Sequence, residues 1–528
     1  MKHLLEYPFP SQRTALCGKQ MAAASTPSVA KAGITVLDAG GNAVDAAVAM
    51  AAAATVVEPT SNGLGSDLFA IVAKDEKLWG LNASGKSPRS MSIEALKERG
   101  WDELPHQGVA PVTTPGAVSG WMALTEKLGR RTLAENLAPA IALAREGFHL
   151  SPTVARLWEK AHESFLPFKG EEAFQGLFQT FFPRGVPRAG ELVALPEMAR
   201  SLELIAASNG QSFYQGELAG EIHRFMEAHG GFLSLEDLRD HSPLWVEPLS
   251  VNYRGVTVHE LPPNGHGISV LEALRILEDG QYEFGTADTL HRQIEAIKMA
   301  MTDAAAHVTD PDFMKVDPHK LLSDAFIEKR RKGLSMTAAQ VEPVAVTPST
   351  VYLTAADRDG MMVSLIQSNY EGFGSGIVVP ETGISLNNRL ANFATEEGHV
   401  NGLAGGKRPY HTIIPGMLTR EGTALGSFGV MGGFMQPQGH LQVLMNLLDF
   451  GMNPQAALDA PRFMWTGKNA VDVEDFAPEV LAELSRRGHQ LRRPEDFLDM
   501  GRGQIILKLP LGGYQGGTEP RTDGTIYI

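Results

Sequence analysis

Helix-like and strand-like segments interleave irregularly along this chain, which predicts an α+β protein built from stacked helix and sheet layers. Helical patterns cover 42–57, 133–146, 267–278 and 437–450. Apolar strand-like runs cover 67–73, 248–260, 351–356, 361–367 and 376–386. No regular strand–helix–strand beat joins them, as a doubly wound parallel sheet would require.

The first helix, 42–57, follows Gly40-Gly41 with Asn42 as N-cap, and its Ala-rich sequence is apolar on every face, so it is buried. Helix 133–146 instead carries Leu133, Leu137, Ala140, Ile141 and Ala144 on one side. Helix 267–278 follows the turn-forming Pro262-Pro-Asn-Gly-His-Gly267. Helix 437–450 places Pro437 at its first position and Gly451 just past its end. The runs 351–356 and 361–367 flank Asp357-Arg-Asp-Gly360 and read as a hairpin. Before that hairpin, 341–349 is a Pro-containing linker and marks the best boundary in the chain.

Composition narrows the class of function. With 20% charged and 43% apolar residues the 528-residue chain is globular. Its net charge of −15 argues against a nucleic-acid partner. The single cysteine, Cys17, excludes an internal disulfide framework and a Cys-rich zinc site. No H-E-x-x-H pattern occurs, and His259, His266 and His411 lie on separate segments, so no metal is expected. The first ten residues lack the apolar core of a signal peptide. The longest apolar run, Ala46 to Val57, is shorter than the ~20 residues of a membrane span. A soluble, cytoplasmic protein without membrane partners is expected.

Gly80-Leu-Asn-Ala-Ser-Gly-Lys-Ser87 matches the phosphate-loop pattern, but Pro88 follows at once. A phosphate loop needs its Lys-Ser to open a helix, and proline removes an amide there while pushing Ser87 out of the helical region. Gly429-Val-Met-Gly-Gly-Phe434 is a tight turn whose amides could bind an oxyanion; an ordinary loop-to-helix junction carries the same signature. Arg389 could grip a carboxylate or simply be solvated. Thr350, at the mouth of the hairpin, is either a plain strand threonine or a nucleophile freed by self-cleavage. In the second case its own α-amine, with an ordinary pKa of roughly 7.7–8.0, can accept the hydroxyl proton.

Short segments in fixed order decide between these readings. They include Gly40-Gly-Asn-Ala-Val-Asp-Ala-Ala47, Pro115-Gly-Ala-Val-Ser-Gly-Trp121, His229-Gly-Gly-Phe232 and Pro262-Pro-Asn-Gly-His-Gly267. After Thr350 come Phe373-Gly-Ser-Gly376, Leu386-Asn-Asn388, Lys407-Arg-Pro409, Gly432-Gly433 and Asp459-Ala-Pro-Arg462. Together they resemble the γ-glutamyltranspeptidase family of N-terminal-nucleophile hydrolases over nearly the whole chain.

The resemblance implies a four-layer αββα sandwich made as one precursor. Cleavage between Ser349 and Thr350 would give a large subunit 1–349 and a small subunit 350–528, with dimerisation of that pair left open. Thr350 would attack an amide carbonyl, and Gly432 and Gly433 would form the oxyanion hole. No metal or organic cofactor is implied. Ser368, Tyr370, Arg389, Asn392, His411 and Thr412 fall at or beside substrate-contacting positions.

Several of these depart from the family pattern. Ser84-Gly-Lys-Ser-Pro88 lacks the Arg that holds a glutamyl α-carboxylate, and Asn392 stands for the Asp that binds its ammonium. Tyr370 replaces an Asn, His411-Thr412 replaces a Ser pair, and Val351 replaces the second Thr of the usual start. Loss of the ammonium acceptor and gain of Arg389 point to an acid without an α-amino group. The expectation is therefore an oxamate-like amide, hydrolysed with ammonia release as in the oxamate amidohydrolase branch of purine-nitrogen salvage. The alternative is a cytosolic γ-glutamyltransferase or glutathione hydrolase.

Overall fold

The computed structural model describes residues 13–341 and 349–528. The amino-terminal reading and most of the linker before Thr350 lie outside the described residues. Among those described, two seven-stranded sheets form the frame. The first runs, edge to edge, through Thr525–Tyr527, Met21–Ala24, Ser349–Ala356, Met362–Tyr370, Asp67–Lys74, Lys77–Ala83 and Leu244–Val246. The second runs through Leu16–Gly18, Tyr514–Thr518, Arg502–Lys508, Thr423–Met431, Gly416–Arg420, Val256–Glu260 and Leu249–Tyr253. Neighbouring strands are antiparallel throughout both sheets.

Strand alternation builds the layers, because successive side chains point to opposite faces. Tyr352, Ile366, Phe69 and Ile71 of the first sheet meet Met417, Met431 and Ile506 of the second. The alternate residues Val351, Leu353, Ala355 and Leu365 face outward, under helices that include Ala43–Val57 and Ala117–Leu128. On the far side Phe428, Val430 and Ile505 lie under Ile268–Leu277 and Met435–Leu448. The order is helix, sheet, sheet, helix.

Ala43–Val57 is buried along its whole length. Asn42 caps it by accepting from Val44 and Asp45 N–H, while Asp45 accepts from Asn42 N–H. Such a cap contributes about 1 kcal/mol. The Asp357–Gly360 turn is tied to the same helix: Asp357 Oδ2 accepts from Ala43 N–H at 2.9 Å, and Oδ1 accepts from Asp359 and Met361 N–H. A carboxylate at a helix start is favoured by the orphan amides and the dipole there. One end of the hairpin is thus pinned, which fixes where Thr350 lies at the other.

Three elements differ from expectation. The run 248–260 is a hairpin, Leu249–Tyr253 and Val256–Glu260, because Arg254 and Gly255 both take positive φ. The run 376–386 holds only Val378–Val379 and Ile384–Ser385. The last predicted helix is Met435–Leu448, so Pro437 sits at its third position and Gly451 lies further beyond its end. The phosphate-loop segment continues strand Lys77–Ala83 into extended chain and opens no helix. Among the described residues no helix is long and apolar enough to cross a membrane.

Candidate active site

Thr350 begins the buried part of Ser349–Ala356, where a register irregularity falls between Ser349 and Val351. It is wholly buried. Its hydroxyl donates to Ser368 Oγ at 3.1 Å, and Ser368 Oγ also accepts from Tyr370 N–H at 2.8 Å. Across the slot between the sheets, Thr354 Oγ1 lies 2.5 Å from Ser427 Oγ. Two residues along each strand, Tyr352 packs on Gly429, where a Cβ would come within 2.2 Å of the ring. Continued by two residues along each strand, the same pairing leads toward Thr350 on one and Met431 on the other, the residue before Gly432 and Gly433.

That pair turns the strand into helix Met435–Leu448, with φ of 138° at Gly432 and 56° at Gly433. Side chains rarely adopt the first conformation, so glycine is needed there. Met435 and Gln436 donate to the Gly432 and Gly433 carbonyls, while among the described residues neither glycine N–H has an acceptor. Unpaired amides at a strand-to-helix turn can bind an anion or an oxyanion.

A buried charged cluster adjoins the Thr350–Ser368 pair through Tyr370. The Arg389 guanidinium lies 4.3 Å over the Tyr370 ring, and its Nη1 donates to Thr412 Oγ1 at 2.9 Å. Its Nε is 3.8 Å from Asp67 Oδ2. Among the described residues Nε and Nη2 have no hydrogen-bond partner. Tyr370 itself has φ of 84°, a strained value for a bulky residue. Its hydroxyl donates to Asn392 Oδ1 at 2.6 Å, and Asn392 Nδ2 donates to the Tyr410 carbonyl. Asn392 therefore orients Tyr370.

Asp67 joins the cluster through His411, whose Nε2 lies 2.9 Å from Asp67 Oδ2. His411 Nδ1 accepts from Ile413 N–H, so the ring proton sits on Nε2 and points at Asp67. Burial, then Arg389, holds His411 well below its ordinary pKa and therefore neutral. Burial pushes Asp67 up to about 6, against the pull of Arg389 and of Gly85 N–H. Burial likewise pushes Arg389 down to about 10.

The structure thus brings Thr350, Ser368, Tyr370, Arg389, Asn392, His411 and Thr412 into one chain of contacts. His266 and His411 lie on separate segments, as read, but folding joins them: the His266 backbone N–H donates to the His411 carbonyl and His266 Nε2 lies 2.8 Å from the Thr412 carbonyl. His259 does stand apart, at Thr419. Asp67 was missed, and His266 was named only in the Pro262–Gly267 turn and not as a site residue: one opens a strand and the other lies in a loop, and no spacing links either to residue 389. Ser84 sits close by, since the next residue, Gly85, donates to Asp67.

For metals, the described residues offer one compact group, His291, Glu295 and His489. Its atoms are engaged with one another and with their surroundings. His291 Nδ1 lies 2.8 Å from His489 Nε2, and the Glu295 carboxylate accepts from Lys298 and from Ala339 N–H. The Lys298 ammonium would repel a cation. This group braces helix Ala287–His307 rather than offering a vacant ligand set.

Comparison with known proteins agrees with this architecture. A family model described as Gamma-glutamyltranspeptidase matches residues 29–528. The chain is 34% identical to the Glutathione hydrolase-like YwrD proenzyme of Bacillus subtilis (strain 168), covering 96% of this chain and 98% of that protein. It is 32% identical to the Oxamate amidohydrolase proenzyme of Klebsiella pneumoniae subsp. pneumoniae, with coverage of 96% and 97%. The crystal structure of cephalosporin acylase from Bacillus halodurans superposes with a TM-score of 0.96 at 50% identity, over 99% of this chain and 98% of that one. Matched in sequence along 29–528 and in fold along almost its full length, the chain belongs to the γ-glutamyltranspeptidase family of N-terminal-nucleophile hydrolases.

Proposed function

We propose that the chain cuts itself between Ser349 and Thr350 and then hydrolyses half-amides of small dicarboxylic acids, of which oxamate is the shortest. The free edge of the buried Arg389 carries this reading, since Nε and Nη2 offer two donors to a carboxylate beside the Thr350 pair. In self-cleavage the Thr350 hydroxyl attacks the Ser349 carbonyl, the peptide becomes an ester, and water releases the two subunits, 1–349 and 350–528. Burial of Thr350 suits a nucleophile that becomes accessible only once that bond is broken.

In turnover the new α-amine takes the proton as Thr350 Oγ attacks the substrate amide carbonyl. The Gly432 and Gly433 N–H groups receive the oxyanion. As the C–N bond breaks, the amine half leaves with the proton, giving ammonia from a primary amide. Water, deprotonated by the same α-amine, hydrolyses the acyl ester and restores Thr350. No step calls on a metal or an organic cofactor. Asn392 is neutral and occupied by Tyr370 and Tyr410, so a γ-glutamyl ammonium finds no partner there.

Product release from oxamate, succinamate, glutaramate, glutamine and glutathione tests this reading. The dicarboxylic half-amides should be turned over at least about tenfold more efficiently than the γ-glutamyl compounds. A preference for glutathione would instead assign the glutathione hydrolase or γ-glutamyltransferase activity.

A further inference from the structure

The ladder between Gly416–Arg420 and Thr423–Met431 runs out just before the Gly432 turn, its last pair being Gly416 with Phe428. The same register carried on by two residues would set Val430 against Ile414. Two side chains of helix Met435–Leu448 take up those amides instead. Val430 N–H donates to His440 Nε2 at 3.0 Å, and Ile414 N–H donates to Gln436 Oε1 at 3.0 Å. Gln436 and His440 are four residues apart, so they share one face of the helix, and both are wholly buried. Glu260 sets the ring, for its Oε1 lies 2.7 Å from His440 Nδ1. Since Nε2 must offer its lone pair to Val430 N–H, the ring proton sits on Nδ1 and is donated to Glu260. Burial holds His440 down to about 3, so the ring stays neutral and keeps that lone pair.

These bonds sit where a small displacement matters. Val430 lies two residues before Gly432, and the chain then turns back into the same helix that carries His440. Strand and helix touch closely there: a Cβ on Gly439 would come within 2.7 Å of the Val430 side chain. The His440 bond therefore closes a loop of chain that has Gly432 and Gly433 at its bend. On the neighbouring segment, Ile414 follows His411, which binds Asp67, and Thr412, which accepts from Arg389. One helix face thus holds both flanks of the site, the turn with unpaired amides and the segment that carries a partner of Arg389. A histidine that merely filled the core would need neither a fixed tautomer nor a backbone N–H to accept.

Resting on the reading that the Gly432 and Gly433 N–H groups receive the oxyanion, we propose that His440, oriented by Glu260, is a positioning residue that aims those groups by fixing Val430. It touches no reacting atom. Its effect belongs to the chemical step and not to substrate binding.

Two substitutions separate the two ring nitrogens. His440→Gln reaches Val430 with an acceptor oxygen, whereas His440→Asn is too short for Val430 and keeps only a donor for Glu260. Both are measured as processed enzyme, on whichever of oxamate, succinamate, glutaramate, glutamine and glutathione the wild type cuts fastest. His440→Asn should lower kcat by about 10² with KM changed by less than about twofold, the mark of misplaced transition-state groups. His440→Gln should recover at least about tenfold of that loss. If His440→Asn does not fold, Glu260→Leu poses the same question: the ring proton passes to Nε2 and faces Val430 N–H, so kcat falls, and adding His440→Gln brings it back. Equal kcat in the two His440 variants, or wild-type kcat in Glu260→Leu, would overturn the assignment. Gly432→Ala separates this inference from the reading beneath it. A kcat that falls there but not in His440→Asn overturns the role of His440 alone, and one that survives there overturns the oxyanion site itself.

Discussion

Two buried clusters of opposite charges treat their arginines differently. Around Arg462, Nη1 donates to the Met500 and Gly501 carbonyls and Nη2 to Glu519 Oε2 at 2.9 Å. Arg521 binds the other oxygen of Glu519 and reaches Glu474. Burial pushes Glu519 up, yet Arg462 and Arg521 hold it below its ordinary pKa. Around Arg389 the balance is reversed, for burial outweighs the arginine and leaves Asp67 raised to about 6. The first cluster leaves one N–H, Arg462 Nε, unpaired among the described residues and braces Asp459-Ala-Pro-Arg462 against the carboxy-terminal strands. The second stops two donors short. The two clusters differ in degree: carboxylates and carbonyls take up all but one edge of Arg462, whereas Arg389 keeps two donors unpaired.

Four changes would break or sharpen that contrast. Gly432→Ala should have the largest effect on chemistry. A side chain at φ 138° forces the turn to move and misdirects the N–H groups, so kcat should fall by roughly 10²–10³. Single-turnover kinetics on protein of unchanged circular dichroism would check it. Arg462→Ala should act on stability instead: it leaves the Met500 and Gly501 carbonyls without this donor and Glu519 with Arg521 and Gly503 N–H alone, a cost of about 3 kcal/mol read by denaturant unfolding.

Arg389→Lys should do the reverse, leaving the unfolding midpoint nearly unchanged while kcat/KM for half-amides drops by about tenfold. The charge persists, but the planar fork is lost. Equal loss of stability in the two arginine variants would erase the distinction between the clusters.

The smallest effect concerns pH. Asp67 competes with a substrate carboxylate for Arg389, and it takes up a proton as pH falls through about 6. Oxalate stays ionised over that range, so its affinity should rise about threefold between pH 7.5 and 5.5 and stay flat in Asp67→Asn. The sign for stability follows the same shift. A carboxyl raised in the folded state favours folding below its ordinary range, and that contribution is lost as pH rises through about 6.

Much of the frame was legible in the sequence because local rules and burial agree there. Asn42 with an Ala-rich run, and Asp357 through Gly360 between two apolar runs, allow little else. The helix start near Pro437 was misplaced by two residues because the Gly432-Gly433 pair lets the chain turn earlier than the proline suggests. The hairpin at Arg254 was missed because a non-glycine residue occupies the positive-φ position. At the site, Arg389, Tyr370 and Thr412 were legible through family motifs. Asp67 was not, and His266 was legible only as part of the Pro262–Gly267 turn, since their contacts come from strands and loops far apart in sequence that meet only on folding.

The central claim is that Thr350 is the nucleophile of both processing and turnover, and intact mass with amino-terminal sequencing of the purified protein tests it most directly. The account predicts two chains in the wild type, the smaller beginning at Thr350, and one inactive chain in Thr350→Ala. A fully active protein that remains a single uncut chain would contradict it.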